Sequence, residues 1–207
     1  MYLPRAFAET DLAALDALVA ADPFVTVVTA GGDGQPFASH LPVLYRRTGD
    51  AVLVEGHWAA PNPQARGADA ALLIVHGPHA YVSPDWYPDR DTAARVPTWN
   101  YAVAHLHGRL ERFDDEPALG DLVGRMSAAF EANVGGWRYD HARDDLRTQL
   151  RGIVGFRFVP TSIACKFKLN QNHPQANREA VADALGAQAG DDARAVAALM
   201  RERKRTS

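Results

Sequence analysis

The chain has 207 residues, 47% of them hydrophobic and 23% charged, with a formal charge of −3 at pH 7. That length buries a substantial core, in one large domain or one domain with appendages, and the slight negative charge excludes a general attraction to nucleic acid or to an acidic membrane surface. The single cysteine, Cys165, excludes an intrachain disulfide and a cysteine-built zinc site, and points to a reducing, cytoplasmic setting.

The first eleven residues lack a basic flank followed by an apolar core, so they do not read as a signal peptide. No apolar run approaches the ~20 residues that a membrane helix needs. Thr10 is placed to cap a short helix in which Leu12, Leu15, Leu18 and Val19 share one face, and Asp22 before Pro23 ends it. Phe24 to Thr29 is β-branched and predicts a strand. Gly31-Gly32-Asp33-Gly34 turns the chain into a second strand, Phe37 to Tyr45. A further turn at Thr48-Gly49-Asp50 leads to Ala51 to Glu55, so the pattern predicts a three-stranded meander. Residues 56–67 connect onward, with a short helix start at Pro63.

Ala71 to His76 predicts an apolar strand closed by Gly77-Pro78. Trp99 to Leu110 alternates, with Tyr101, Val103, His105 and His107 on one face and Ala102, Ala104 and Leu106 on the other. Asp115 and Glu116 open a helix through Phe130 whose apolar face is Leu119, Leu122, Val123, Met126 and Phe130. A helical piece near Leu146 to Leu150 precedes two strands, Gly152 to Val159 and Ile163 to Leu169, separated near Pro160. The tail predicts helices over Arg178 to Ala187 and Asp192 to Arg205, broken at Gly190. This order argues for an antiparallel, barrel-like sheet dressed with helices, not alternating βαβ units. The Gly-rich Rossmann fingerprint and the Walker loop are both missing.

Four groups of residues carry chemistry. Trp99 offers a flat face for stacking and Asn100 both donors and acceptors, which suits a planar ligand; a packed tryptophan at a strand start is the plain alternative. Residues 56–63 bring small residues and a helix start to His57, a pattern that holds an anion or makes a structural turn. Ser39 and His40 could reach a phosphate or ribityl hydroxyl, or sit half-buried in a strand. Lys166 and Lys168 could hold an anion or line a solvated edge. His105 and His107 could begin a metal site with His76 or His79, but no carboxylate pattern supports it and no metal is assigned. The basic end, Arg201, Arg203, Lys204 and Arg205, reads as a solvated helix end, with DNA contact as its alternative. No helix-turn-helix pair and no G-x-S-x-G elbow are present.

Five blocks in order resemble the PaiB-like, FMN-binding negative transcriptional regulators. They are Met1-Tyr2-x-Pro4-x-x-Phe7; Ser39-His40-Leu41-Pro42 with Gly56-His57 and Asn62-Pro63-Gln64; His76 to Pro84 with Trp86-Tyr87; Val96 to Tyr101; and Lys166 to Leu169 with Gln171-Asn172. The resemblance covers nearly the whole chain. It implies an α+β fold: an antiparallel, Greek-key-like split β-barrel of the pyridoxamine-phosphate-oxidase type, flanked by helices and ending in a helical tail. The expected division is a barrel domain over 1–172 and a helical extension over 173–207, packing on the barrel or on a dimer partner.

It also implies a homodimer with FMN at or near the interface. Flavin contacts carry over to Ser39, His40, His57, Asn62, Thr98, Trp99 and Asn100, with Lys166 and Gln171 outside them. Three departures stand out. Ala60 and Ala65 replace the family's Arg and Trp, and Asn170 and His173 replace its Ser and Arg, so the family's phosphate-end cation at 60 is gone. The expected function is a flavin-dependent regulator or sensor that acts through a protein or DNA partner. The alternatives are an FMN-dependent oxidoreductase on a small planar substrate and a haem-binding or haem-degrading protein, for which His105 or His107 would ligate iron.

Overall fold

In the computed structural model residues 1–203 are described. The elements run β1 (Ala8–Glu9), α1 (Leu12–Ala21), β2 (Phe24–Ala30), β3 (Pro36–Pro42), β4 (Leu44–Thr48), β5 (Ala51–Ala59), β6 (Ala70–Val82), β7 (Thr98–Phe113), α2 (Glu116–Phe130), α3 (Asp144–Gln149), β8 (Ile153–Lys168), α4 (Gln175–Gly186) and α5 (Asp191–Glu202). The eight-stranded sheet has the order β3-β2-β6-β7-β8-β5-β4, with β1 on β8. This is the antiparallel α+β class expected, with flanking helices and a helical tail.

The strands depart from the sequence pattern in three places. Residues 37–45 are not one strand. Pro42 closes the β2–β3 ladder opposite Phe24, Val43 donates its N–H to the Pro23 carbonyl, and β4 pairs with β5 instead. Two hairpins therefore replace the meander, and β3 and β4 end the strand order on opposite sides. The apolar alternation runs through Pro42 and hides the break.

Gly77-Pro78 does not end β6, which continues to Val82. A Cβ on Gly77 would stand 2.7 Å from Leu18 Cδ2 and 2.8 Å from the Ala102 carbonyl, so glycine serves close approach here and not a turn. Likewise β8 runs unbroken through Pro160. Its pairing with β5 ends at Phe158 and its pairing with β1 covers only Cys165 and Lys166, so the proline falls where that edge has no partner. At α1 the cap is Asp11, whose carboxylate accepts from Ala13 N–H at 2.9 Å, and not Thr10.

The chain forms two compact units. The first comprises 1–18, 76–104 and 164 onward; the second comprises 19–75 and 105–163. The first buries Val82, Tyr87, Ala102 and Phe167 with Val181, Leu185, Val196 and Met200 of α4 and α5. The second buries Val25, Val27, Val54, Leu73, Leu106, Leu119, Leu122, Phe156 and Phe158. Trp58 and Phe156 meet there at 4.4 Å between ring centroids, and burying each such side chain contributes about 1.5–3 kcal/mol.

Candidate functional site

The nine residues singled out for flavin contact divide between the units, and each group is described by itself. In the second unit, Ser39 and Asn62 are brought together, with Asn62 Nδ2 donating to Ser39 Oγ at 2.9 Å. Strand alternation turns His40 to the other face of β3, where its Nδ1 lies 2.9 Å from Thr26 Oγ1. His57, on β5, has a buried Nδ1 with no partner among the described residues. Burial lowers its pKa, so the ring is neutral at pH 7 and offers one donor and one acceptor.

The turn that follows His57 does not cradle an anion with its backbone. Ala60 N–H donates to the Gly152 carbonyl at 2.8 Å, and Asn62 N–H to the Ala59 carbonyl at 2.9 Å. Gln64 N–H goes to Asn62 Oδ1 at 2.9 Å, the N–H groups of Ala65, Arg66 and Gly67 close back on the turn, and Pro61 and Pro63 have none. The anion reading of residues 56–63 is therefore corrected to a structural turn.

Its anchor is Gln64, which carries no expected contact in the sequence motif. The side chain is 1% exposed, and its Nε2 donates to the Val27 carbonyl, Thr29 Oγ1 and the Phe37 carbonyl at 3.0–3.1 Å. Arg112 holds the same turn, giving its Nε to the Gln64 carbonyl at 2.9 Å while its guanidinium lies 5.7 Å from the Trp58 ring. A glutamine in a proline-rich turn gave no sign of burial.

In the first unit, Trp99 and Asn100 stand on opposite faces of β7. Trp99 is 51% exposed, with the His79 and Tyr81 rings each 6.0 Å away. Asn100 is fully buried; its Nδ2 lies 3.4 Å from Met200 Sδ and its Oδ1 has no partner among the described residues. Thr98 Oγ1 accepts from Lys168 Nζ, which also donates to the Trp99 carbonyl at 2.7 Å. Lys166 Nζ donates to the Tyr2 carbonyl at 3.1 Å and lies 5.3 Å from the Tyr101 ring centroid. Gln171 is committed to its own chain: it accepts from Leu169 N–H at 2.6 Å and donates to the Phe167 carbonyl at 2.5 Å.

Around these runs a polar network. Arg95 Nε donates to Asp89 Oδ1 at 2.8 Å, Asn177 Nδ2 to the same oxygen at 2.9 Å, and Asn170 Nδ2 to the Tyr87 hydroxyl at 3.0 Å. The Tyr87 and His173 rings stack at 4.9 Å. Asn170 has φ of 61°, a conformation asparagine tolerates better than most residues.

His105 and His107 share the outward face of β7, but among the described residues no group of three or more His, Cys, Asp or Glu side chains could hold a metal ion. Cys165 is buried and its thiol is pushed up to about 11 by that burial, so it is inert. In the basic tail, Arg201 pairs with Asp183 and Arg203 with Glu9; Lys204 and Arg205 lie outside the described residues.

Compared with known proteins, residues 1–162 match the family described as Putative FMN-binding domain. The chain belongs to this FMN-binding family. It is 30% identical to "Protease synthase and sporulation protein PAI 2" of Bacillus subtilis, over 98% of both chains. It is 26% identical to an uncharacterized protein of Emericella nidulans, over 98% of this chain and 97% of that one. Among solved structures its fold is shared with the flavocytochrome Anf3 from Azotobacter vinelandii, at TM-score 0.56 and 18% identity, covering 80% of this chain and 72% of that one. It is shared also with the FAD and heme binding protein from Mycobacterium smegmatis, at TM-score 0.55 and 18% identity, covering 78% and 73%.

The polar groups suit the family's cofactor. Taken separately, the second unit holds a neutral imidazole with a buried nitrogen that has no partner among the described residues, and the first an exposed indole beside an ammonium, each a kind of group that a flavin uses.

Proposed function

We propose that this protein is an FMN-dependent regulator or sensor, homodimeric and cytoplasmic, that acts through a protein partner. The observation that carries the reading is the match to the Bacillus subtilis sporulation protein from end to end, with the FMN-binding domain inside it. Bound FMN would supply a reversible redox centre. In the first unit Trp99 stacks on a planar ring, Thr98 is held by Lys168, and Lys166 adds charge; in the second, His57 gives or takes a hydrogen bond, and Ser39 and Asn62 add polar contacts. His40, Asn100 and Gln171 play lesser parts, because Thr26, the core beside Met200 and the end of β8 already engage them.

The dimer is supported by Val28, Leu72 and Ile74, apolar side chains left half-buried on one face of β2 and β6, and the flavin would lie at or near that interface. No helix among the described residues is long and apolar enough to cross a membrane. Indirect regulation is supported by Arg201 and Arg203, which pair with Asp183 and Glu9. The helices after residue 172 would serve as a C-terminal extension that packs on the barrel domain or on the dimer partner.

The test is the visible spectrum of the purified chain titrated with FMN, run on the wild type, Trp99→Ala and His57→Ala. Saturable flavin binding lost in one variant assigns the contact to that unit; a wild type that ignores FMN defeats the reading. Turnover of bound flavin with NAD(P)H and an acceptor would move the protein to the oxidoreductases.

A further inference from the structure

Nineteen of the chain's 22 basic residues are arginines; of its three lysines, two are Lys166 and Lys168, two positions apart on β8 and so on one face of the strand. A compact ammonium is the point charge used for phosphate where a planar guanidinium does not fit. Lys166 is 8% exposed, a degree of burial rare for lysine without a partner. Yet its amine meets only the Tyr2 carbonyl and the faces of Tyr2 and Tyr101. Lys168 meets only Thr98 Oγ1 and the Trp99 carbonyl. Among the described residues neither amine is paired with a carboxylate.

The nearby guanidinium is already neutralised, since Arg95 is held by Asp89. Two cations on one strand face, Lys166 buried and Lys168 half-buried, are offered only neutral oxygens among the described residues and carry a charge that the protein leaves uncompensated. They repel as well: burial first, and then the Lys166 charge, lower the pKa of Lys168.

We propose that Lys166 and Lys168 form an anion site for a phosphate monoester, with Thr98 Oγ1 beside it as a further hydrogen-bonding group. An anion there would neutralise both ammoniums and replace contacts that are now dipolar. Both lysines lie beyond the residues 1–162 that match the family model. The site also answers what Ala60 leaves open, because the turn at 60–67 has no free N–H to offer an anion. The phosphate could be that of FMN or of a separate metabolite; only this question of source rests on the flavin reading.

The experiment is a calorimetric titration of the full chain with inorganic phosphate, alone and with FMN or riboflavin present. The wild type should bind phosphate saturably, and Lys166→Met and Lys168→Met should each lose about tenfold or more, as expected for a hydrogen bond to a charged group. If FMN competes with phosphate and riboflavin does not, the site holds the flavin's own phosphate. If neither flavin competes, it serves another phosphate compound. If no flavin binds while phosphate does, the flavin reading fails and the anion site stands.

Because a variant can fail to fold, the wild-type chain carries a second readout. Reductive 13C-methylation labels only three side-chain amines, and phosphate should shift two of those signals. A wild type that shows neither heat nor shift with phosphate, or variants that bind as the wild type does, overturns the proposal.

Discussion

The Asn62–Gln64 turn of the second unit and the Lys166–Lys168 end of β8 in the first are both dense in buried polar groups, and they use them in opposite ways. At the turn every backbone N–H that exists is given to an oxygen of the protein, and Gln64 Nε2 reaches three more. At the strand end two ammoniums meet hydroxyl and carbonyl oxygens but no countercharge. A buried amide satisfied by fixed acceptors is part of the fold, whereas a buried cation met only by dipoles keeps most of its charge available. Polar density alone therefore does not mark a binding site; unspent charge does.

The largest expected effect is at the turn. Gln64→Leu removes a donor from three acceptors and should cost about 3 kcal/mol in urea unfolding, moderated because the unpartnered Gln64 Oε1 is removed as well. A loss below about 1 kcal/mol would mean that the turn is not anchored there, and that half of the contrast would collapse. Next is Glu55, whose side chain is 8% exposed and accepts from both terminal nitrogens of Arg125, with Arg157 Nε 3.6 Å away. Glu55→Gln should cost about 2 kcal/mol, less than a fully buried pair, since Arg125 and Arg157 are 41% and 40% exposed and fall back on water.

How far the sequence reached follows the same line. The long helix and the alternation of β7 were legible because burial there follows a period: Ala102, Ala104 and Leu106 are buried and Leu119, Leu122 and Met126 line α2, as the spacing requires. Pro42, Gly77 and Pro160 misled because their roles depend on a neighbour: the ladder that Pro42 closes, the Leu18 side chain against Gly77, and the edge that leaves Pro160 unpaired. In the candidate site the residue types were legible, but motifs of consecutive residues hide which side chains share a face. Alternation alone parts Trp99 from Asn100 and Ser39 from His40. The pairing of Ser39 with Asn62, across 23 residues, could not be read without the fold.

Acid titration separates a paired polar network from an unpaired one within the first unit. Hydrogen bonding from Arg95, aided by Asn177, holds the Asp89 carboxyl well below its ordinary 3.8, at about 2. A depressed carboxylate pKa adds stability that is fully present above 3.8 and is lost as pH falls through about 2. Thermal melts between neutral and strongly acid pH should therefore fall in that window for the wild type. Asp89→Asn should start lower and lose less across it; a variant with the wild-type slope would assign the acid transition to other carboxylates.

The smallest expected change is the sharpest test of the contrast. Lys166→Met deletes a buried charge, so it loses one hydrogen bond to the Tyr2 carbonyl and two cation–π contacts. It gains relief from desolvation and from the repulsion of Lys168, and methionine fills the same slot. These terms oppose each other, and in phosphate-free buffer the net change should stay within about 1 kcal/mol of zero. Gln64→Leu has only the removal of its unpartnered Oε1 to set against the loss, because the three acceptors it abandons stay buried. If Lys166→Met destabilised the chain as much as Gln64→Leu, the lysine would be a structural member of the strand and its charge would not be unspent. A near-silent Lys166→Met, in a protein whose stability rises with phosphate only when Lys166 is present, would show that the strand carries that charge for a ligand.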